Sequence, residues 1–367
     1  MADKVWPFEG HFVVGGSGLY VTTGCLGQTV DSHTAGYDLT IGLPQVDRTP
    51  DPFPAELRSQ LNEPHVPRWD LMPPIWTYGP RNSTERQEEE HMMDPVWGGV
   101  LDDGSAKVVY PETARDSAVV LRCRFATTLT TTDDEDFEAA AQRFLGELDD
   151  YWTRFTSWVG ILTGQDFVGL GGDSGGLTRT RPLFTWTGDE GDEDGQRVDM
   201  RWRYFPPPIG GIPQRQLRLD ELQTCASIAG NQAPPAEWLL IRDTRSLLRA
   251  GQNRRAIIDA GTAAEVAMTT LIDRYLVADG VTEPVRKALA DKYRALEGRE
   301  SLIRILRPGV LSDQMKRDLT YPRNRATHAG REYTGAEAEA AVEMATTIVE
   351  AAHPFASLLP QGGQAAS

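Results

Sequence analysis

Cysteine is scarce in this sequence. Cys25, Cys123 and Cys225 stand far apart in 367 residues; three such residues make neither a disulfide framework nor a CxxC metal pair. They read as reduced, buried thiols of a cytoplasmic protein. Long apolar runs are missing too. No stretch of about 18 apolar residues occurs, so no membrane-spanning helix is expected. The opening Met1-Ala2-Asp3-Lys4-Val5-Trp6-Pro7 lacks the basic and apolar regions of a secretory signal. Positive charge is in short supply, 37 Lys+Arg against 53 Asp+Glu, for a net charge of −16. The shortage is uneven. Residues 236–360 carry 18 Lys+Arg and 17 Asp+Glu, and the remainder carries 19 and 36. The acidic remainder repels nucleic acid at long range, whereas the nearly neutral segment permits an RNA contact. No cluster with metal-ligand spacing is seen, and no metal or cofactor is expected. Gly15-Gly16-Ser17-Gly18 has neither the strand–GxGxxG–helix setting of a dinucleotide site nor the lysine of a P-loop, and reads as a hairpin turn.

What is present divides the chain. Residues 1–213 read as an acidic, β-rich domain with one long helix, 214–235 as a connector, 236–360 as an all-helical domain and 361–367 as a disordered tail, an α+β protein overall. In the first part, residues 11–14, 19–23 and 37–41 are short runs rich in β-branched and aromatic residues, and residues 117–129 alternate through Val119, Leu121, Cys123 and Phe125. A Pro-rich stretch from about 44 to 80, with Trp69 and Trp76, reads as a covering loop. Phe137, Ala140, Ala141, Phe144, Leu148, Tyr151, Trp152 and Phe155 recur at helical spacing, predicting a helix that reaches about 162. Residues 181–187 and 197–205 suggest a hairpin with a solvated acidic tip at 188–194. Eight of nine tryptophans precede residue 203, and they read as core. After the Pro/Gly run at 206–213 the pattern is helical: 217–229, 236–250, 253–277 (with Val266 among the inward positions), 283–296, 299–306, 311–319, and a last helix opened by the capping box Thr334-Gly335-Ala336-Glu337.

Gly172-Asp173-Ser174-Gly175-Gly176 matches the nucleophile motif of trypsin-like serine proteases. A triad needs a histidine base and an aspartate around that serine. His33 lies upstream, but in the setting Asp31-Ser32-His33-Thr34-Ala35-Gly36, and the long helix at 137–162 interrupts a second β-barrel. A glycine loop is the better reading, with a protease acting through Ser174 as the minor alternative.

The densest polar stretch is Tyr321-Pro322-Arg323-Asn324-Arg325-Ala326-Thr327-His328-Ala329-Gly330. Pro322 suits the first turn of a helix and Gly330 a helix stop. Asn324 and His328, four apart, share one helical face. Arg323 lies about 140° from His328 around an ideal helix, within reach of a long side chain. Arg323-Asn324-Arg325-Ala326-Thr327-His328 resembles the RNxxxH motif of HEPN (higher eukaryotes and prokaryotes nucleotide-binding) domains, which are helical bundles. The segment from Arg249 to Glu265 is similar to that family's early helices, and the capped Ala/Glu helix after His328 to its ending. A β-rich region followed by a C-terminal HEPN domain looks most like the ApeA-like defence proteins.

The resemblance covers residues 236–360 and implies a metal-independent endoribonuclease, acting as a homodimer in antiphage defence or a toxin system, with an unknown activator or ligand at the N-terminal domain. It assigns proton transfer to His328, phosphate stabilisation to Arg323 and orientation to Asn324, roles that suit an imidazole titrating near neutrality and a guanidinium fork. Arg325 and Arg331 read as surface charge or phosphate contacts, the pair Arg254-Arg255 as solvated or lining an RNA groove, and Glu265 as a brace for Arg323 or a surface acid. A non-catalytic RNA-binding or assembly module is the alternative function.

Overall fold

The computed structural model describes residues 4–14, 18–44, 71–72, 117–120, 122–131, 137–167, 170, 215–328 and 331–358. The Pro-rich stretch beyond residue 44 with Trp69 and Trp76 lies outside the described residues except for Leu71–Met72, a short strand where a covering loop is expected; the glycine loop with Ser174, the 181–205 hairpin with its acidic tip, the Pro/Gly run at 206–213 and the tail at 361–367 lie outside them. The chain divides into two units: Met1–Phe167 with Gly175–Gln232, and Val168–Ser174 with Ala233–Ser367.

The first unit holds two antiparallel sheets among the described residues. One has the order β1 (Lys4–Val13), β7 (Arg122–Thr131), β4 (Asp38–Gly42), β3 (Thr29–His33); the other has the order β2 (Leu19–Thr22), β6 (Ser117–Val120), β5 (Leu71–Met72). Along β7 the buried Cys123, Phe125, Leu129 and Thr131 alternate with the exposed Arg124, Thr128 and Thr130, the period-two pattern of a half-buried strand. Two expectations are corrected here. The glycine run at 15–18 does not join a hairpin, because β1 pairs with β7 over its whole length and β2 with β6. The alternation at 117–129 is divided between the two sheets, 117–120 falling in β6 and 122–129 in β7.

A 27-residue helix, α1 (Phe137–Thr163), supplies the other side of this core. Phe8, Phe125 and Phe144 form an aromatic cluster with centroids 5.5–5.7 Å apart, Phe8 edge-on to the other two rings, each ring contributing about 1.5–3 kcal/mol by burial. Buried polar groups are matched. Gln165 behaves as an extra strand residue, its Oε1 accepting from the Tyr20 N–H at 2.9 Å and its Nε2 donating to the Tyr20 carbonyl at 2.8 Å.

Residues 214–235, read as a connector, contain α2 (Leu219–Asn231) and belong largely to this unit. Leu217 bridges Val21 in parallel fashion, and α2 packs on β3 and α1. Its last carbonyls are claimed by side chains: Ser32 Oγ donates to Ala226 O at 2.7 Å and Arg154 Nε to Ala229 O at 2.7 Å. A Cβ on Gly230 would stand 2.8 Å from the His33 carbonyl oxygen and 2.9 Å from its Cε1, so His33 is a packing partner of α2. All three cysteines are buried and none forms a disulfide; burial pushes the Cys225 thiol up to about 12.

The second unit is helical: α3 (Ala236–Arg249), α4 (Asn253–Ala278), α5 (Glu283–Lys292), α6 (Leu296–Leu306), α7 (Tyr321–His328), α8 (Gly335–Ala352) and α9 (Phe355–Leu358). Helix α4 is the centre, packed by α3, α8, α6 and α7. Its buried face is rich in small residues, Ala256, Ala260, Gly261, Ala263, Ala264 and Ala267, which let neighbouring backbones approach. Val266, expected inside, is 39% exposed because it lies off this stripe. Helix α5 buries no residue and is shorter than expected. A second helix starts at Leu296, where Gly298 lets the Tyr293 backbone come within 3.3 Å of where a Cβ would stand. Thr334 caps α8 as the sequence predicts: its Oγ1 accepts from the Glu337 N–H at 3.3 Å, and Glu337 Oε2 accepts from the Thr334 N–H at 3.0 Å. The fold is therefore α+β. No helix among the described residues is long and apolar enough to cross a membrane.

Candidate functional site

The helix that carries Arg323, Asn324 and His328 does not start at Pro322. It continues from Lys316–Thr320, a single π-helical turn in which the Tyr321 N–H bonds to the Lys316 carbonyl five residues back. Proline explains the departure. Without an N–H, Pro322 cannot bond to the carbonyl of Asp318, and its ring crowds the preceding turn. A wider turn absorbs both problems, and such turns recur at functional sites. The turn is anchored from below: Thr320 is fully buried, and its Oγ1 donates to Glu300 Oε2 at 3.2 Å. Glu300, itself fully buried, also accepts from Arg304 Nε at 3.1 Å. On α7 Ala326 faces inward with no exposed surface. Tyr333 Oη donates to the Pro322 carbonyl at 2.9 Å, and Asn253 Nδ2 donates to the Tyr333 carbonyl at 2.9 Å, which ties the helix back to the start of α4.

Arg323 crosses α4 at Gly261. A Cβ there would lie 2.4 Å from Arg323 Cγ and 3.2 Å from its Cβ, so only glycine admits this path. Beyond the notch, Arg323 Nη2 donates to Glu265 Oε2 at 3.3 Å and Nη1 to Asn324 Oδ1 at 3.4 Å. Glu265 Oε1 accepts from Arg299 Nη1 at 2.6 Å. The carboxylate is thus shared by two guanidinium groups, and the Arg323 side chain keeps 25% exposure. Its Nε is buried without a hydrogen-bond partner among the described residues. Asn324 is half-buried beside it. His328 is exposed on the last turn and has no hydrogen bond or ion pair among the described residues.

The other cations separate. Arg254 Nε donates to the Ala326 carbonyl at 2.8 Å. That carbonyl lies in the last turn of α7, where a cation satisfies an orphan acceptor and the helix dipole together. Arg255 instead donates to Oε1 of Gln252, the residue before its own helix, at 2.7 Å. Arg331 pairs with Glu337 at 2.8 Å and lies over the Tyr333 ring. Arg325 is exposed. The structure therefore gathers Arg323, Asn324, Glu265, Arg299 and Gly261, leaves His328 open on the same short helix, and commits Arg254 and Arg331 to the frame around it. The sequence reading names neither Gly261 nor Arg299. Gly261 leaves a detectable signal, a glycine inside a long helical run that needs a packing reason; Arg299 leaves none, being one arginine of many.

The second histidine of this unit, His353, is held elsewhere. Its Nε2 lies 3.2 Å from Glu237 Oε1, and its carbonyl accepts from Trp238 Nε1 at 3.0 Å. Among the described residues of the second unit, one exposed imidazole and one anchored guanidinium thus share α7. Comparison with protein-family models, curated proteins and solved structures returned no match.

Proposed function

We propose that the helical unit is a metal-independent endoribonuclease of HEPN type that works as a homodimer. The observation that carries the reading is the contrast along α7: Arg323 anchored by Glu265, Asn324 and the Gly261 notch, and His328 exposed on the last turn. Cleavage of RNA by its own 2′-OH needs a proton removed from that hydroxyl, in-line attack on phosphorus, and a proton delivered to the departing 5′-oxygen. The products are a 2′,3′-cyclic phosphate and a 5′-hydroxyl. Imidazole transfers protons near neutrality. A guanidinium placed before the reaction stabilises the charge that grows on the non-bridging oxygens. His328 takes the proton-transfer role, Arg323 the phosphate and Asn324 the orientation of Arg323. One imidazole per chain supplies one of the two proton transfers, so a second copy across a shared cleft supplies the other. The acidic first unit would host the activator that releases such an activity in defence or toxin use.

Incubation of the protein with a structured RNA in EDTA tests this. Cleavage with cyclic-phosphate ends is expected, reduced about 10²–10⁴-fold in His328→Ala, the span of one general acid–base group, and abolished in Arg323→Ala. Undiminished cleavage by both variants would remove the site. One observation favours a second reading: Glu265 already engages Arg323, as a structural arginine in an RNA-binding or assembly module requires. That reading predicts RNA retention by all three forms without cleavage.

A further inference from the structure

Helices α4 and α5 line a half-open cavity of about 340 Å³ on the second unit. Its apolar lining comes from Ile272, Leu276 and Tyr293, and its cations are Arg286, Lys287 and Arg299. Two carboxylates also line it. Asp273 is already bound to Arg286 Nη1, and Glu283 is exposed in the first turn of α5. Two features leave the site open to an anion. Lys287 is exposed with no ion-pair partner among the described residues. Helix α5 buries no side chain, so nothing of its own fills the space beneath it. The size lies at the lower end of small-molecule sites.

We propose that this cavity binds a small phosphate ester, its apolar body against Ile272, Leu276 and Tyr293 and its dianion on Arg286, Lys287 and Arg299. Arg299 carries the occupant's effect outward, because its Nη1 holds Glu265 at 2.6 Å and Glu265 holds Arg323 at 3.3 Å. A dianion that draws on Arg299 leaves the Glu265 carboxylate to Arg323 alone. Arg323 is then gripped harder and its charge more fully neutralised. On the ribonuclease reading, on which this second half rests, the ester is an inhibitor.

Phenyl phosphate is the probe, titrated calorimetrically into the full chain beside inorganic phosphate and phenol. Phenyl phosphate is expected to bind more tightly than either fragment, and about tenfold more weakly to Lys287→Ala, the loss of one charge-assisted contact. Arg323→Ala should still bind it, modestly more weakly, because Glu265 then has only Arg299 and the coupling is reciprocal. No binding to the full chain at millimolar ester overturns the proposal. So does binding lost in Arg323→Ala but kept in Lys287→Ala, which would place the ester on the α7 motif. The coupling is read without RNA, from phenylglyoxal labelling of Arg323 followed by mass spectrometry. Saturating ester should slow labelling in the wild type, and in Lys287→Ala the same protection should need about tenfold more ester; an unchanged rate in the wild type overturns the coupling. A protein that binds the ester, protects Arg323 and never cleaves RNA would instead strike the ribonuclease reading alone.

Discussion

Gly261 is the residue on which the position of Arg323 turns. In an exposed helix, replacing glycine by alanine stabilises by about 1 kcal/mol, since glycine has more backbone freedom to lose. Here the added methyl would meet Arg323 Cγ at 2.4 Å and Cβ at 3.2 Å, the root of the side chain, where a small rotation gives no relief. Overpacking of this kind costs about 1–3 kcal/mol and outweighs the propensity gain. Gly261→Ala is therefore expected to lower the urea midpoint modestly and to reduce RNA cleavage nearly as far as Arg323→Ala does, since the guanidinium can no longer reach Glu265. A variant that is more stable and cleaves normally would show that Arg323 does not need this path. The same pair of residues marks what a linear reading reaches. Arg323, Asn324 and His328 declare themselves because their chemistry is packed into six consecutive residues. Gly261 and Arg299 complete the arrangement from α4 and α6, and their meeting is a tertiary fact with no local pattern.

At the scale of elements, the junction of the π turn with α7 is the unusual feature. It places the three motif residues one hydrogen-bond register away from a continuous α-helix. Pro322→Ala restores an N–H that can reach the Asp318 carbonyl and removes the ring, favouring the ordinary α register; a proline in a helix interior is less favourable than alanine by about 3 kcal/mol. The expected outcome is a raised melting temperature with reduced cleavage, because rewinding the turn rotates Arg323 away from the Gly261 notch. Equal or higher cleavage together with higher stability would mean that the π turn only tolerates the proline. Such a turn is invisible to periodicity, which assumes one register throughout. Periodicity does recover α1, α3, α4 and α8 to within a residue or two, because each is long and buries one stripe of apolar side chains. Helix α5 is misjudged in length for the opposite reason, having no buried stripe to end. Strand β3 escapes notice because Asp31, Ser32 and His33 are polar and only Val30 on that strand is fully buried. The glycine run before β2 says nothing about which strand pairs with which, and β1 finds its partner far along the chain.

For the whole molecule the governing property is charge. Residues 236–360 carry 18 Lys+Arg and 17 Asp+Glu, while the rest of the chain carries 19 and 36. A polyanionic ligand that binds the helical unit therefore meets a chain whose net negative charge is carried almost wholly outside that unit. Long-range repulsion of that kind slows association more than it alters the docked contacts. The second unit joins Val168–Ser174 to Ala233–Ser367, so a fragment from Ala233 to Ser367 keeps its helices, with Arg323 and His328, and leaves out only the 168–174 segment. At low salt this fragment is expected to associate with a structured RNA faster than the full chain does, with dissociation rates that differ little. Raising the salt should close the gap, since the screening length falls from about 10 Å at 0.1 M to about 3 Å at 1 M. Stopped-flow association over that range checks the argument, with circular dichroism first confirming that the fragment is helical. A difference that persists undiminished at 1 M would locate the first unit's influence in direct obstruction of the RNA site, a steric gate in place of an electrostatic one.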